Sequence, residues 1–267
     1  MAAAEVTALV AEVQRSAKYR TIAASLIARI GAEELAKGRS SKDAVKATKA
    51  RLHQVAGAYL PERVDAAGWL VRLAAQVQDP AAVQRLCREL MARHASTRER
   101  LPILDQFYAT LFADLPCDVA VLDLACGLNP LALPWMPLAG RFRYTACDIY
   151  ADQAELLNGF FQALGVDGEA RVCDLTQTPA LPPADVVLLL KAVPCLDHLD
   201  RTLVGRLLDT LDATWVYVSF PSHSLGGRSK GMPAQYEPRL AQLVAGQVWQ
   251  VERYSFGSEL VFRLRIG

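Results

Sequence analysis

The sequence has no long hydrophobic run, no paired cysteines, few histidines and almost no net charge. No apolar run approaches the roughly 20 residues that cross a bilayer, so no membrane-spanning helix is expected. The opening MAAAEVTALVAEVQRS carries Glu5 and Glu12. It lacks the basic start and apolar stretch of a secretory signal, which points to a cytoplasmic protein. The six cysteines, at 87, 117, 126, 147, 173 and 195, form no CxxC pair, and the four histidines, at 53, 94, 198 and 223, form no HExxH. Zinc spacing is missing and no metal site is expected. Several cysteines lie in apolar runs and read as small buried hydrophobes of a reducing compartment. The dinucleotide fingerprint of three spaced glycines is absent as well.

What is present suits a large folded chain. Of 267 residues, 52% are apolar, enough for one sizeable α/β unit and a smaller one. The net charge of +1 hides an asymmetry. Residues 1–115 hold 17 Lys and Arg against 12 Asp and Glu, and residues 116–267 hold 12 against 16. A basic first part joined to an acidic second part suggests that the first meets a polyanion.

The first part reads as helical. Residues 5–37 carry apolar positions at helical spacing and stop at Lys37-Gly38. SSKDAVKATKARLHQVAGAYL follows with Ser41 near an N-cap. Val45, Leu52, Val55 and Ala56 lie on one face and Lys42, Lys46 and Lys49 on the other, until Pro61 breaks the pattern. VDAAGWLVRLAAQV is a third helix, and DPAAVQRLCRELMARH a fourth, capped by Asp79 with Pro80 at the first helical position. In STRERLPILDQFYATLFADL, Ser96 and Glu99 have capping-box spacing. After Leu115-Pro116 the period changes. VAVLDLA, RFRYTACD, EARVCDL, ADVVLLLK and WVYVSF are short β-rich runs separated by helical patterns or loops, the signature of a parallel, doubly wound sheet. VWQVERYSF and ELVFRLRI bracket Gly257-Ser258 and read as a hairpin that adds an antiparallel edge.

In such a sheet, ligands bind beyond the carboxyl ends of the strands. The first strand ends at Ala125-Cys126-Gly127, and Gly127 allows a close backbone approach. The second strand ends in Asp148, as for a carboxylate gripping ribose hydroxyls. The third ends in Asp174-Leu175, where an acid could face an adenine amino group. A pyrophosphate would want a glycine-rich helix start, whereas Asn129-Pro130 removes a donor and stiffens the chain. S-adenosylmethionine, which has no phosphate, fits this turn better. The other reading of the same residues is an ordinary strand–turn–helix without a ligand.

Longer words in the sequence carry a resemblance. HASTRERL (94–101), DLACGLNPLA (123–132), LLLKAVPCL (188–196), SFPSHSLGGRSKGM (219–232) and GSELVF (257–262), with KYR (18–20) and TKARLHQVAGAYL (48–60), look like the aminoglycoside-resistance 16S rRNA methyltransferases that modify N7 of guanine 1405. The sisomicin–gentamicin and kanamycin–gentamicin resistance enzymes are of this family. The resemblance spans nearly the whole chain. It implies a Rossmann-like class I S-adenosylmethionine-dependent methyltransferase sheet at 111–267 behind an N-terminal helical domain at 1–110 that docks on the assembled 30S subunit. It further implies a cofactor pocket of Tyr59, His94, Ala95, Ser96, Arg100, Ala125, Asp148, Asp174, Leu175 and Leu190, beside Gly127. Leu199 stands where the family has a glutamine, a contact that a backbone group can replace.

Each word also has a plainer reading: Ser96 as a helix cap, Lys191 as a solvated strand end, SLGGRSKG as a surface loop and Glu259 as a hairpin residue. In the family's setting, the Arg100 fork suits a methionine carboxylate. Lys191 would face the reaction cavity and bond guanine O6 or a phosphate. Arg228 and Lys230 would order over RNA, and Glu259 would accept from guanine N1–H and N2–H₂. Lys191, Arg228 and Glu259 are thus the expected holders of a flipped base. Phosphate contacts are expected from Lys18, Arg20, Lys42, Lys46, Lys49 and Arg51. Guanine N7 bears a lone pair and no proton, so methyl transfer needs no general base, and no catalytic histidine is expected. A monomer is expected. The rival readings are a small-molecule or protein methyltransferase using the same turn, and a non-catalytic RNA-binding module that kept the fold.

Overall fold

Alternation along the strands sets both layers of the molecule. In β1 (Val119–Leu124), Val119 and Val121 face one side of the sheet and Leu122 and Leu124 the other. In β4 (Ala184–Leu190), Val186, Leu188 and Leu190 take the first side, and Val187 and Leu189 the second. A central strand buried on both faces has to read as a continuous apolar run. The computed structural model describes residues 3–57, 64–138, 141–222 and 232–267. The remaining strands are β2 (Phe142–Asp148), β3 (Gly168–Val172), β5 (Ala213–Pro221), β6 (Gln250–Ser255) and β7 (Glu259–Arg265). Their order across the sheet is β3-β2-β1-β4-β5-β7-β6, with β1 to β5 parallel and β7 antiparallel to both neighbours. Gly257 and Ser258 close the last hairpin, where Phe256 and Glu259 exchange backbone hydrogen bonds of 2.8 and 3.4 Å.

The helices are α1 (Ala3–Gln14), α2 (Ala24–Ala36), α3 (Ser41–Leu52), α4 (Ala66–Ala74), α5 (Pro80–Met91), α6 (Ala95–Arg100), α7 (Leu104–Leu111), α8 (Ala151–Leu164), α9 (Val193–Leu199), α10 (Leu203–Thr210) and α11 (Met232–Leu243). One face of the sheet packs on Trp69, Leu73, Leu86, Leu90, Phe107, Leu111 and Phe160. The other packs on Leu196, Leu203, Val204, Leu207 and Leu240. A separate core of Leu9, Val13, Tyr19, Ile22, Leu26, Ile27, Ile30, Ala44 and Leu52 joins α1, α2 and α3. The helices α4, α5 and α7 share the sheet's own core, whereas α1, α2 and α3 pack on theirs. Among the described residues no helix is long and apolar enough to cross a membrane.

Three local expectations are corrected. The helical run over 5–37 is two helices, α1 and α2, with Ala17–Tyr19 as a 3-10 turn between them. The apolar spacing continues through the break, but Thr21–Ala23 is drawn out to pair with Ile149–Ala151. Ile22 lies opposite Tyr150, Ala23 N–H donates to Ile149 O at 2.8 Å, and Ala151 N–H donates to Thr21 O at 2.8 Å. The cap of α3 is Ser40, whose hydroxyl accepts from Asp43 N–H at 3.2 Å, one residue before Ser41. The capping box of Ser96 and Glu99 does not form, because α6 starts two residues too early for it: His94 is the N-cap and Ser96 Oγ lies 3.0 Å from His94 Nδ1. Asp79 and Pro80 stand where the sequence puts them, with the Asp79 carboxylate accepting from Ala81 and Ala82 N–H at 3.0 and 3.2 Å.

Ala23→Pro should report on the seam between the N-terminal helices and the sheet. The native φ of −46° is near proline's range, so the substitution mainly removes the N–H that Ile149 O accepts. Losing that partner should destabilise the fold by about 1–3 kcal/mol, read as a lower urea midpoint. An unchanged midpoint would mean that the seam carries no weight.

Candidate functional site

The strand order reverses between β1 and β4, and a cleft opens beyond their carboxyl ends. Two non-glycine residues there have left-handed backbone: Ala125 after β1, at φ 50°, and Lys191 after β4, at φ 58°. Each costs on the order of 1–3 kcal/mol unless the surroundings fix it. For Lys191 they do: its N–H meets Ser219 O at 3.1 Å and Ser219 Oγ at 2.9 Å. Gly127 is required at its place, because φ is +51° and a Cβ would sit 2.8 Å from the His94 ring.

The cleft encloses about 790 Å³, counting its open mouth, and brings together His94, Ser96, Ala125, Gly127, Asp148, Asp174, Leu175, Leu190 and Lys191. Asp148 is anchored by Gly127 N–H at 2.7 Å and Ile149 N–H at 2.7 Å. Burial raises its carboxyl above the usual value, against the pull of those backbone donors. Asp174 is held by Ser25 Oγ at 2.7 Å on one oxygen, and by Thr176 N–H at 3.0 Å and Thr176 Oγ1 at 2.6 Å on the other. The turn makes no phosphate cradle. The Gly127 N–H is taken by Asp148, the Asn129 and Leu131 N–H groups bond within the turn, and Pro130 has none. A carboxylate at the turn would also repel a phosphate, whereas the pair of acids suits neutral hydroxyl and amine donors.

Beneath the cleft lies a buried ionic network. Arg100 donates through Nε to Glu259 Oε2 at 2.9 Å and through Nη2 to Glu259 Oε1 at 2.7 Å, with side-chain exposures of 1% and 0%. Ser219 Oγ donates to Glu259, and Lys191 Nζ lies 3.4 Å from it. The Lys191 ammonium also donates to Ser96 O at 3.2 Å and Glu99 at 3.0 Å. On the other side Arg100 and Tyr108 both donate to Asn129 Oδ1, Asn129 Nδ2 donates to Asp123 at 2.8 Å, and Tyr144 donates to the same Asp123 oxygen at 2.7 Å. Burial alone would raise the Glu259 carboxyl, but Arg100 and Lys191 hold it below its usual range. Asp123 is pushed up by burial to about 6, and His94 is pushed down by burial, with Arg100 and Lys191 adding to it, to about 4.

A model of ribosomal RNA methyltransferases (FmrO) matches residues 15–263. The chain belongs to this family. A relative from Micromonospora rosea is 37% identical over 94% of this chain and 93% of its own length, and one from Frankia casuarinae is 40% identical over 95% and 91%. Both carry the name 16S rRNA (guanine(1405)-N(7))-methyltransferase. Among solved structures, the 16S rRNA methyltransferase RmtF in complex with S-adenosyl-L-homocysteine superposes with a TM-score of 0.85 at 30% identity, covering 100% of both chains. The 16S rRNA methylase RmtB superposes at 0.78 with 27% identity, covering 98% of each.

Within this family member the expected residues divide. Ala95 is buried beside the cleft without lining it. Arg100 is not an open fork for a ligand carboxylate, since Glu259 and Asn129 fill it. Glu259 is not an open reader of a base edge, since it is fully buried and both oxygens are bonded within the protein. Lys191 lines the cleft, but three internal acceptors surround its ammonium. Tyr59, Arg228 and Lys230 lie outside the described residues. On the basic face Arg20, Lys42 and Lys46 are exposed, Lys49 is half-buried, and exposed Lys18 lies 2.9 Å from His53 Nδ1. Arg51 is committed internally to Glu33 at 2.6 Å and Glu34 at 3.2 Å.

Sequence reasoning missed Asp123, Asn129, Tyr108, Ser219, Glu99 and Ser25. Asp123 had left a trace: a lone acid inside an apolar strand needs buried partners.

His94 and Asp123 give the protein opposing acid responses. His94 stays neutral in the folded state, so its contribution is present above the unfolded value of about 6.5 and is lost as pH falls toward about 4. Asp123 has a raised value, so its contribution is present below about 3.9 and is lost as pH rises through about 6. His94→Asn should therefore lose about 2 kcal/mol less stability than the wild type between pH 7 and pH 4.5 in urea titrations. Parallel losses would refute the neutral histidine.

Proposed function

We propose that this chain transfers the methyl group of S-adenosylmethionine to N7 of guanine 1405 of 16S rRNA in the assembled 30S subunit, so conferring aminoglycoside resistance. The observation that carries the reading is the cleft at the strand reversal, with Asp148 and Asp174 on adjacent strand tips and Lys191 on the opposite wall, in a member of a ribosomal RNA methyltransferase family. The residues fit the donor. Asp148 would take the ribose hydroxyls, Asp174 the adenine amine, Leu175 and Leu190 the purine faces, and the acid-occupied turn disfavours a phosphate-bearing cofactor. When bound, S-adenosylmethionine supplies an electrophilic methyl group on a sulfonium.

The protein's share of the chemistry is placement. N7 has a free lone pair, so no side chain has to remove a proton, and neutral His94 is not needed as a base. The chain must hold the nitrogen in line with the methyl carbon, a proximity effect. In a paired A-form helix N7 lies in a deep, narrow groove, so the base has to leave the stack. Lys191, at the cleft wall, would face the guanine O6 or a phosphate after releasing one internal acceptor. Arg100 and Glu259 are the buried post that aims it. Arg228 and Lys230 complete our assignment of the RNA-facing residues. A methyl group and positive charge on N7 would remove an acceptor and repel a cationic drug. We place the enzyme in the cytoplasm as a monomer, docked through its N-terminal helices.

Incubating purified 30S subunits with labelled donor should yield one methylated guanine, mapped at 1405. Lys191→Ala should cut the transfer rate at least tenfold while changing donor affinity less. Transfer to another nucleotide, or a wild-type rate in that variant, would overturn the assignment.

For docking, Lys42→Ala and Lys46→Ala should each weaken 30S binding and lower the salt slope of log K by about 1. Arg51→Ala should instead lower the urea midpoint, because its charge is held by Glu33 and Glu34. A salt slope unaltered by both lysine variants would remove α3 from the footprint.

A further inference from the structure

Gln153 stands in the first turn of α8, five residues past Asp148, and is 4% exposed. Its Oε1 is buried and accepts no hydrogen bond. Buried side-chain oxygens nearly always have a partner, so an orphan needs a reason. The other buried side-chain atoms without a partner among the described residues belong to Arg29, Thr48, Asp123, Ser258 and Arg263. None of these lines the cleft, and Gln153 does. Around it the cleft offers Asp148, Asp174 and Thr176 on the strand tips, with apolar Leu26, Val55 and Leu199 also on the lining. The orphan thus belongs to a residue of the cleft lining, and no protein group donates to it.

We propose that the Gln153 amide oxygen accepts a hydrogen bond from the nucleoside half of the methyl donor, a neutral O–H of the sugar or N–H of the purine. This rests on the donor-binding reading above. An amide suits such a partner: Asp148 and Asp174 already place two carboxylates in the cleft, and a neutral acceptor adds a contact without a third like charge. The bond would form only with the donor or its product in place, which explains why the free protein leaves the oxygen unmatched.

The test is calorimetric titration of S-adenosylhomocysteine into the wild type, Gln153→Leu and Gln153→Met, with thermal melts to verify that each variant is folded. Methionine matches glutamine in length and covers the case in which leucine does not pack. We expect about a tenfold weaker Kd in the variants, the size of one lost hydrogen bond to a buried group. Analogues lacking the 2′-OH or the 3′-OH, or carrying hypoxanthine for adenine, identify the partner. The analogue that lacks it binds wild type and variant alike. Equal affinity of a folded variant and the wild type for S-adenosylhomocysteine overturns the proposal, as does a loss that persists with every analogue. No binding to the wild type would instead sink the donor-binding reading.

Discussion

The carboxylate of Glu259 is the point on which the site's geometry turns. It is fully buried and is reached by Arg100 from α6, Ser219 from β5 and Lys191 from the tip of β4. Removing an ionised carboxylate and two cations from water is expensive, and the cost is offset only when every charge is paired at close range. That condition works as a gauge: the antiparallel hairpin, the strand reversal and α6 have to meet in one arrangement, or several charges are stranded. Truncating one partner of such a group commonly costs 3–5 kcal/mol, whereas an apolar replacement of the whole set can be neutral. The network is therefore better explained by the place it fixes for Lys191 than by stability.

The same network explains how a lysine can hold a left-handed backbone at a strand end. The Lys191 N–H has two acceptors on Ser219, and its ammonium has acceptors on α6 and β7. With both ends tied, relaxing φ would break several bonds to relieve a strain of on the order of 1–3 kcal/mol. Ala125 shows the same conformation across the reversal, and Cys126 N–H after it bonds Cys147 O at 3.1 Å. Strain thus concentrates on both lips of the cleft, where the backbone must turn sharply to leave room for a ligand.

The sheet was legible because its central strands are short, nearly continuous apolar runs, and the cleft because acids end two successive strands. Both signals are local. The missed features are those made by partners far apart in the chain. Arg100 and Glu259 are separated by 159 residues, and each taken alone invites a ligand-facing role. The break between α1 and α2 has no glycine or proline to announce it, since pairing of Ile22 with Tyr150 overrides the helical spacing. The orphaned Gln153 oxygen can be recognised only by accounting for every buried polar atom, which no motif does. Asp148 and Asp174 line one cleft, whereas neither strand ends nor the family resemblance could show that the fork of Arg100 is filled from within.

The N-terminal helices reach the cleft through α2. Ser25, in the first turn of α2, donates to Asp174, and Ile22 and Ala23 pair with the residues directly after Asp148. Leu26 of α2 and Val55, just past α3, both line the cleft. The helix that carries Lys42 and Lys46, α3, packs on α2, and α2 with the residues before it contacts Asp174 and the stretch after Asp148. If docking on RNA shifts α2 and α3 at all, it shifts the partners of Asp174 and the wall facing the nucleoside. Reciprocity then requires that a donor held between those acids also favours the docked position of the helices. A rigid, separately folded docking module would lack that coupling; here Ile149 and Tyr150 pack into the core of the N-terminal helices, so the two halves share one seam.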